Sequence, residues 1–280
     1  MKNYIRFIWK GFAPGVLLAL LLGASQSSGA VLTLDFADGN GTTSVDQYMG
    51  TAGSGWKGGW TTATTGSSST NTVTNGTPLY TGGNNYLQAS YIISATGQNE
   101  RVTRQVDSTA INLSSLVTYS FTFRSDVSIG GSGQYLAIVN ATGPTSGTGP
   151  SNTWEITADG GGWKVGGVAL GFLGGGTGTD YQFTINSDPI SKTYNVTILN
   201  LNNLQSVTSV TANYRNALAT TENTYLNFIS TATGTALVGS TIGFSIDNIS
   251  VVPEPNSMAL IVASCALFAI LGKGRRFHTL

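Results

Sequence analysis

The fold class is decided by two stretches, Tyr119-Ser120-Phe121-Thr122-Phe123-Arg124 and Tyr181-Gln182-Phe183-Thr184-Ile185-Asn186. In both stretches, large apolar side chains alternate with polar ones. Successive side chains of a β-strand point to opposite faces of its sheet, so this alternation places the apolar residues on one face. Each stretch therefore predicts a strand with one buried face.

Comparable runs recur along the middle of the chain, separated by clusters of Gly, Asn and Pro. The candidate strands cover residues 31–36, 86–93, 101–106, 117–124, 135–139, 154–157, 181–186, 194–199, 207–212, 225–229 and 242–251. Many short strands joined by Gly-rich turns predict an all-β sandwich or barrel over residues 31–252. Residues 50–77 have the weakest strand pattern and are predicted to form a loop or a flexible insertion.

The first and last candidate strands resemble those of a known group of folds. The opening Leu32-Thr33-Leu34-Asp35-Phe36 and the closing Phe244-Ser245-Ile246-Asp247-Asn248-Ile249-Ser250-Val251 resemble the terminal strands of jelly-roll, concanavalin-like β-sandwiches. This resemblance implies that the first and last strands are neighbours in one sheet.

Composition excludes several classes of function. The chain has 280 residues and a formal net charge of zero, but residues 31–252 alone carry a net charge of −5. Such a domain lacks the basic face that a nucleic-acid partner requires. The domain also contains neither cysteine nor histidine, because Cys265 and His278 both lie in the C-terminal segment. Ser-His-Asp and Cys-His nucleophile systems and His- or Cys-ligated zinc are therefore excluded.

The N-terminus has the order of a secretory signal peptide. Lys2, Arg6 and Lys10 precede an apolar run at residues 16–22, and small residues follow it up to Ala30. This order predicts a signal peptide over residues 1–30, with cleavage after Ala30 or after Ser28. The alternative is an uncleaved anchor, for which the apolar run is too short.

The C-terminus has a different apolar segment. Pro253-Glu254-Pro255 precedes an uncharged stretch at residues 258–271, and Lys273, Arg275 and Arg276 follow it. We predict a single transmembrane helix over residues 257–272. The basic residues favour the cytoplasmic side of the membrane, so the domain is expected to face outward.

This C-terminal pattern resembles the PEP-CTERM sorting signal. The resemblance rests on Pro253, Glu254 and Pro255, the apolar span, and Arg275 with Arg276, and it covers residues 252–276, under a tenth of the chain. It implies that an exosortase in the membrane recognises the tail at residues 253–280. It further implies processing near the motif and delivery of an inner-membrane-anchored precursor to the cell surface or extracellular matrix. The last residues, 277–280, extend beyond the arginines and depart from the family pattern.

Two tryptophans are the candidate glycan-binding residues. Trp56 and Trp60 lie in a glycine-rich loop and could present a flat aromatic surface for stacking on sugar rings. The alternative is that both indoles cover the edge of the core, because indoles usually bury most of their area.

Three aspartates are the candidate calcium ligands. Asp35 and Asp38 follow the first candidate strand, and Asp247 lies on the last one. Carboxylates from neighbouring terminal strands could supply part of the six to eight oxygens that Ca²⁺ takes. The alternative is an Asp-Gly turn with no ion. No other cofactor is expected.

Glu155 and Asp159 are the candidate carboxylates of a glycosidase motif. Retaining glycosidases of this sandwich class resemble a Glu-x-Asp-x-x-Glu strand, in which alternate carboxylates share one face about 5 Å apart. Here Thr157 occupies the second position and no closing glutamate follows. The motif therefore fails, and the chain is not expected to be an enzyme.

Three functions stay open at this point. The leading hypothesis is a noncatalytic surface or matrix protein with a structural or adhesive role. The second is a carbohydrate-binding module that acts on exopolysaccharide, and the third is a glycoside hydrolase or lyase without a recognisable motif. The expected partners are an exosortase, the membrane during sorting, and an exopolysaccharide.

The sorting motif gives the first testable prediction. Replacing Pro253, Glu254 and Pro255 together with alanine should leave the chain in the inner membrane, because the exosortase would no longer recognise it. Fractionation followed by immunoblotting measures the distribution, and Asn256→Ala, just outside the motif, is the matched control. Surface delivery of the triple variant at the level of the unchanged chain would contradict exosortase sorting.

Overall fold

The computed structural model describes residues 31–50, 55–65, 68–74, 79, 85–125, 133–160, 162–171 and 178–254. These residues belong to one compact unit, which spans Gly29–Glu254. The predicted signal peptide at 1–30 and the predicted membrane span at 257–272 lie outside the described residues. Within the described ranges, no helix has the length and hydrophobicity that crossing a membrane requires.

The described residues form β-strands in two antiparallel sheets. The ten-stranded sheet contains β1 (Leu32–Leu34), β2 (Thr43–Ser44), β4 (Ser68–Thr74), β5 (Tyr86–Ile92), β7 (Val117–Ser125), β12 (Asp180–Asp188), β13 (Thr193–Asn200), β14 (Ser206–Thr208), β15 (Ala212–Asn213) and β17 (Thr241–Pro253). The seven-stranded sheet contains β3 (Thr61–Thr64), β6 (Asn99–Gln105), β8 (Gln134–Ala141), β9 (Glu155–Asp159), β10 (Gly162–Val165), β11 (Val168–Ala169) and β16 (Tyr225–Ala232). The predicted all-β fold is confirmed.

The first and last strands are neighbours, as the resemblance to jelly-roll, concanavalin-like sandwiches implies. β1 pairs with β17 through Leu32–Val251 and Leu34–Ile249, while β17 also pairs with β5 and β7. The register of β17 against β7 shifts after Asp247, where Asn248 has a positive φ of 52°. This irregularity lets one long strand pair with β7 on one edge and with both β5 and β1 on the other.

The core lies between the two sheets and is rich in aromatic side chains. Phe121 of β7 meets Phe228 of β16 edge to face at 5.1 Å, and Phe123 meets Trp163 of β10 at 5.8 Å. Phe183 of β12 stacks on Phe121 at 5.1 Å. Such ring pairs contribute about 0.5–1.5 kcal/mol each beyond the area that they bury. The apolar side chains of β7 and β12 therefore face the core, as predicted.

The expectation of a loop at residues 50–77 is wrong, because this region contains β3 and β4. β3 pairs with β6, and β4 pairs with both β5 and β2. Both strands are mainly Ser and Thr, and β3 lies at a sheet edge where most of its residues are exposed. An exposed edge strand has no face in the core, so its sequence need not alternate between apolar and polar residues. The β-branched Thr residues favour strand formation.

The two candidate glycan-binding tryptophans are buried, as the alternative interpretation states, and the interpretation as a stacking surface is wrong. Trp60 is fully buried and Trp56 is 8% exposed, so neither indole can form a stacking surface. Both rings pack near the buried Arg104 guanidinium, whose carbon lies 5.7 Å from the Trp56 ring centroid and 6.0 Å from that of Trp60. Arg104 donates hydrogen bonds to the Tyr48 and Met49 carbonyls. The glycine-rich loop therefore folds inward around a buried cation.

The burial of Trp60 gives a stability prediction. Trp60→Ala should lower the free energy of unfolding by about 3–5 kcal/mol, because it leaves a large cavity in the core. Urea denaturation measures the loss, and Leu237→Ala, at a side chain that is 76% exposed, should change the stability by less than about 0.5 kcal/mol. A Trp60→Ala loss as small as that of the control would contradict the buried position.

Candidate functional site

A groove lies at one edge of the sandwich, where the β10–β11 hairpin of one sheet meets the β15 region of the other. Its volume is about 500 Å³. The residues that line this edge groove are Pro150, Val165, Gly166, Val168, Val210, Thr211, Ala212, Asn213, Tyr214 and Arg215. The volume falls within the ~300–1,000 Å³ that is usual for small-ligand sites.

The hairpin wall is shaped by two glycines. Val165 pairs with Val168, and the intervening Gly166 and Gly167 have φ values of 57° and 82°. A two-residue turn with two positive φ values is of the type that matches strand twist, and glycine adopts it without strain. A Cβ on Gly166 would lie 3.0 Å from the Ala212 Cβ. Glycine therefore allows the hairpin to approach the opposite wall closely.

Two exposed valines form apolar walls. Val168 is 56% exposed and Val210 is 72% exposed, and both line the edge groove. Exposed apolar residues that occur singly are normal, but these two line the same groove and add apolar surface that a ligand can contact.

The polar side of the groove is supplied by Arg215. Its Nε lies 3.4 Å from Glu155 Oε1, and its side chain is 46% exposed, so the guanidinium keeps donors that face solvent. Glu155 also accepts a hydrogen bond of 2.8 Å from the Gly149 amide. The backbone amide of Arg215 donates to the Thr153 carbonyl at 3.2 Å. Both the backbone and the side chain of Arg215 are therefore bound to the segment at residues 149–155.

Behind the groove, the buried carboxylate of Glu222 accepts a hydrogen bond from Tyr214, which lines the groove. Glu222 is 2% exposed. Its Oε1 accepts hydrogen bonds from Ser187 Oγ at 2.5 Å and from the Tyr214 hydroxyl. Its Oε2 accepts from Thr153 Oγ1 at 3.1 Å and from the Tyr119 hydroxyl at 3.4 Å. Burial raises the pKa of Glu222, and the hydrogen bonds from these hydroxyls oppose that rise only in part.

The predicted calcium set is not assembled. Among the described residues, no group of three or more His, Cys, Asp or Glu is arranged to hold a metal ion. Asp38 accepts a hydrogen bond from the Tyr48 hydroxyl. Asp247 is buried on β17, and burial, with a smaller contribution from the nearby charge of Asp35, raises its pKa to about 6. The three aspartates therefore do not converge, although Asp35 and Asp247 lie close enough to interact.

The two carboxylates tested for a glycosidase motif are each ion-paired. Glu155 contacts Arg215, and Asp159 lies 2.6 Å from Lys164 Nζ.

Of the sorting residues, Pro253 ends β17 opposite Val117, and the Glu254 amide donates to the Leu116 carbonyl at 2.7 Å. Pro255, Arg275 and Arg276 lie outside the described residues.

Sequence reasoning did not single out Tyr214, Arg215 or Glu222. Each is an isolated polar or aromatic residue in a stretch with little strand pattern, and Glu222 lies in Thr220-Thr221-Glu222-Asn223. Of the residues around the groove, the sequence singled out only Glu155. Its partner Arg215 is 60 residues away in the sequence, and the two residues are neighbours only in the fold.

Comparisons with known proteins concern the fold. No protein-family model and no curated protein matches the chain. Among solved structures, it is similar to a sialidase, with 11% identity, a TM-score of 0.49, and coverage of 71% of this chain and 17% of the sialidase. It is also similar to lectin II from Ulex europaeus, with 13% identity, a TM-score of 0.45, and coverage of 82% of this chain and 100% of the lectin. Peanut lectin with a 9mer peptide gives 12% identity, a TM-score of 0.44, and coverage of 81% and 100%. At such identities, no site or ligand transfers to this chain.

The raised pKa of Glu222 gives a pH prediction. A carboxyl group whose folded pKa exceeds the unfolded value of about 4.3 stabilises the fold below that value, and the contribution is lost as pH rises through the folded pKa. Glu222→Gln removes this titration. The stability of the variant relative to the unchanged chain should therefore rise with pH above about 4.3, by at most ~1.4 kcal/mol per pH unit, and then level off.

Urea denaturation at a series of pH values measures this difference. The matched control is Glu254→Gln, which makes the same change at an exposed position after β17. A difference between Glu222→Gln and the unchanged chain that stays constant with pH would show that burial of Glu222 does not raise its pKa.

Proposed function

We propose that this protein is an exported, noncatalytic surface or matrix protein whose β-sandwich binds a neutral glycan in the edge groove. The observation that carries the proposal is the pairing of apolar walls, Val168 and Val210, with the solvent-facing donors of Arg215 in one groove. An adhesive role follows if the glycan belongs to an exopolysaccharide outside the cell.

The groove matches the two kinds of surface that a sugar ring presents. Ring C–H groups are apolar and can pack on Val168, Val210 and Pro150, which line the groove. Ring hydroxyls both donate and accept hydrogen bonds. Arg215 has free donor positions, and Asn213 lines the same groove with an amide that can donate and accept. Few charges and mixed polar and apolar contacts favour a neutral ligand.

Preorganisation supports the proposal. The Tyr214 hydroxyl is held by Glu222, and the backbone amides of Tyr214 and Arg215 donate to the Lys192 and Thr153 carbonyls. The groove wall therefore needs little ordering when a ligand binds, which lowers the entropic cost of binding.

A noncatalytic role is supported by the state of the two glutamates near the groove. A general acid or base must come within ~2.6–3.2 Å of the reacting group. Glu222 is buried and its two oxygens accept hydrogen bonds from four hydroxyls. Glu155 is nearly buried and is bound by Arg215 and the Gly149 amide. Neither carboxylate is free to reach a glycosidic oxygen without breaking these contacts.

Export and sorting belong to the same proposal. The Pro253-Glu254-Pro255 motif, the apolar stretch after it and Arg275-Arg276 support recognition by an exosortase, with the membrane as a partner during sorting. Pairing of β1 with β17 supports the jelly-roll, concanavalin-like class, in which the two ends of the chain are neighbours.

The test is a change at the polar side of the groove. Arg215→Gln should weaken glycan binding at least about tenfold, because a hydrogen bond to a charged group contributes ~1.5–3 kcal/mol. The free energy of unfolding should also fall, by up to ~1.5–3 kcal/mol, because the Glu155 side chain is only 8% exposed and loses its charged partner, so the affinity is measured at a temperature where the variant is folded. A glycan array identifies the ligand, and calorimetry measures its affinity.

Lys57→Gln is the matched control, because it removes an exposed cation from a residue that does not line the groove. Equal affinities for the Arg215→Gln variant and the unchanged chain would place binding elsewhere. Release of reducing sugar from the bound glycan would contradict the noncatalytic role.

A further inference from the structure

The first and last strands of the domain bring both of its termini to the same end of the sandwich. β1 and β17 are antiparallel, and Leu32 lies opposite Val251. The described chain therefore begins at Val31 and ends at Glu254 at one end of the strands. The Glu254 amide is held there by the Leu116 carbonyl at 2.7 Å.

Three further segments lie at this end. Pro253 lies opposite Val117 at the start of β7, and Val117 lies opposite Ser187 near the end of β12. The turn after β12 is therefore next to the loop before β7. In that turn, Lys192 Nζ donates to the Ala217 carbonyl at 2.6 Å, which brings the segment around Ala217 to the same end. We define the terminal end as Val31 and residues 113–116, 188–192, 214–219 and 253–254.

The most exposed side chains of the terminal end are apolar. Ile190 is 81% exposed and Leu218 is 86% exposed, more than any other large apolar side chain of the described residues. Val31 and Leu116 are exposed at the same end. Exposed apolar side chains that occur singly need no explanation, so the meaning of this group depends on what the terminal end contacts.

Two tight turns hold these apolar side chains outward. The Asp188 carboxylate accepts hydrogen bonds from the Ile190 amide at 2.9 Å and from the Ser191 hydroxyl at 2.8 Å. Asn216 Oδ1 accepts a hydrogen bond from the Leu218 amide at 3.1 Å. Side chains of this kind stabilise turns by bonding to the backbone two residues further on. Ile190 and Leu218 are therefore presented on ordered turns.

The sequence after Glu254 indicates what the terminal end contacts. Only three residues, 255–257, separate Glu254 from the uncharged apolar stretch at residues 258–271. Because an extended chain spans at most ~3.3–3.6 Å per residue, a bilayer that takes up this stretch is at most about 15 Å of chain away from Glu254. A lipid surface is therefore the partner that the chain itself brings to this end.

The charges of the terminal end do not oppose such a contact. Its segments contain two basic residues, Lys192 and Arg215, and two acidic ones, Asp188 and Glu254, so their net charge is zero. Apolar side chains beside polar groups suit the boundary between lipid headgroups and acyl chains. Contact through Ile190 and Leu218 therefore needs no anionic lipid.

We propose that the terminal end docks on the lipid bilayer, with Ile190 and Leu218 inserted at the boundary between headgroups and acyl chains. This docking rests on the membrane span at residues 257–272 that belongs to the function proposed above. It keeps the Pro253-Glu254-Pro255 motif at the membrane surface, where a membrane enzyme can reach it. Neither Ile190 nor Leu218 lines the edge groove, so lipid and glycan do not compete for these two side chains.

The contact is tested with the full chain in vesicles of phosphatidylethanolamine and phosphatidylglycerol that carry brominated acyl chains. Cys265 is the only cysteine, so Cys265→Ser permits one fluorophore to be attached at a chosen position. Ser114→Cys places it at the terminal end, and Val238→Cys places it beyond the start of the 13-residue β17, at the opposite end. Bromine quenches only nearby fluorophores, so the probe at residue 114 should be quenched at least about twice as strongly as the probe at residue 238.

Serine variants separate docking from the tether. Ile190→Ser combined with Leu218→Ser should at least about halve the quenching at residue 114, because the inserted apolar side chains are lost. The melting temperature should stay the same, since both side chains are exposed. Leu237→Ser combined with Val238→Ser is the matched control, because these side chains are 76% and 71% exposed at the opposite end, and it should leave the quenching at residue 114 unchanged.

Extraction with alkaline carbonate distinguishes the two levels of the account. If the chain stays in the vesicles, equal quenching at residues 114 and 238, or quenching at 114 that the Ile190 and Leu218 changes do not lower, would overturn docking and leave the membrane span intact. A fall in the melting temperature of that double variant would also overturn docking, because it would show that the two side chains pack on the domain. Release of the chain by carbonate would overturn the span, and docking with it.

Discussion

The buried carboxylate of Glu222 is the interaction on which the arrangement of this site depends. It accepts hydrogen bonds from Tyr119 of β7 and Ser187 of β12 in one sheet, from Thr153 just before β9 of the other, and from Tyr214 at the groove. Placing a carboxylate in the interior is costly, and its raised pKa records that cost. The same four contacts tie both sheets to the segment that forms the groove wall. One unfavourable burial therefore fixes the position of Tyr214 and, through the chain, of Arg215.

Polar groups also join the two sheets elsewhere in the core. Gln134 of β8 donates to the Ser230 hydroxyl of its own sheet and to the Gly243 carbonyl of the other, and it accepts from Ser125 of β7. Apolar contacts alone would permit the sheets to slide, since the hydrophobic effect has no direction. Directional bonds across the core restrict this freedom. The sandwich thereby keeps its edges in a fixed relation, which the edge groove between them requires.

How far the sequence predicts this structure depends on burial. β7, β12 and β13 each have one face in the core, and the alternation that burial imposes makes them predictable. β3 and β4 lack that signal, because they are mainly Ser and Thr. The sequence left Trp56 and Trp60 either exposed in a glycine-rich loop or buried at the core edge, because their contact with Arg104, over 40 residues away in sequence, is not visible in the local pattern. The roles of Arg215 and Glu222 depend on contacts with residues distant in the sequence, so no local pattern could have indicated these two residues.

Glycan binding in the edge groove can be observed directly at the residues that line it. The most direct measurement is two-dimensional NMR of the domain, with labelled valine methyls and arginine side chains, during titration with a neutral oligosaccharide selected on a glycan array. Binding in the edge groove predicts saturable shifts of the Val168 and Val210 methyl signals and of the Arg215 Nε–H signal, with one common dissociation constant. Saturable shifts confined to residues outside the groove, with these three signals unmoved, would contradict it.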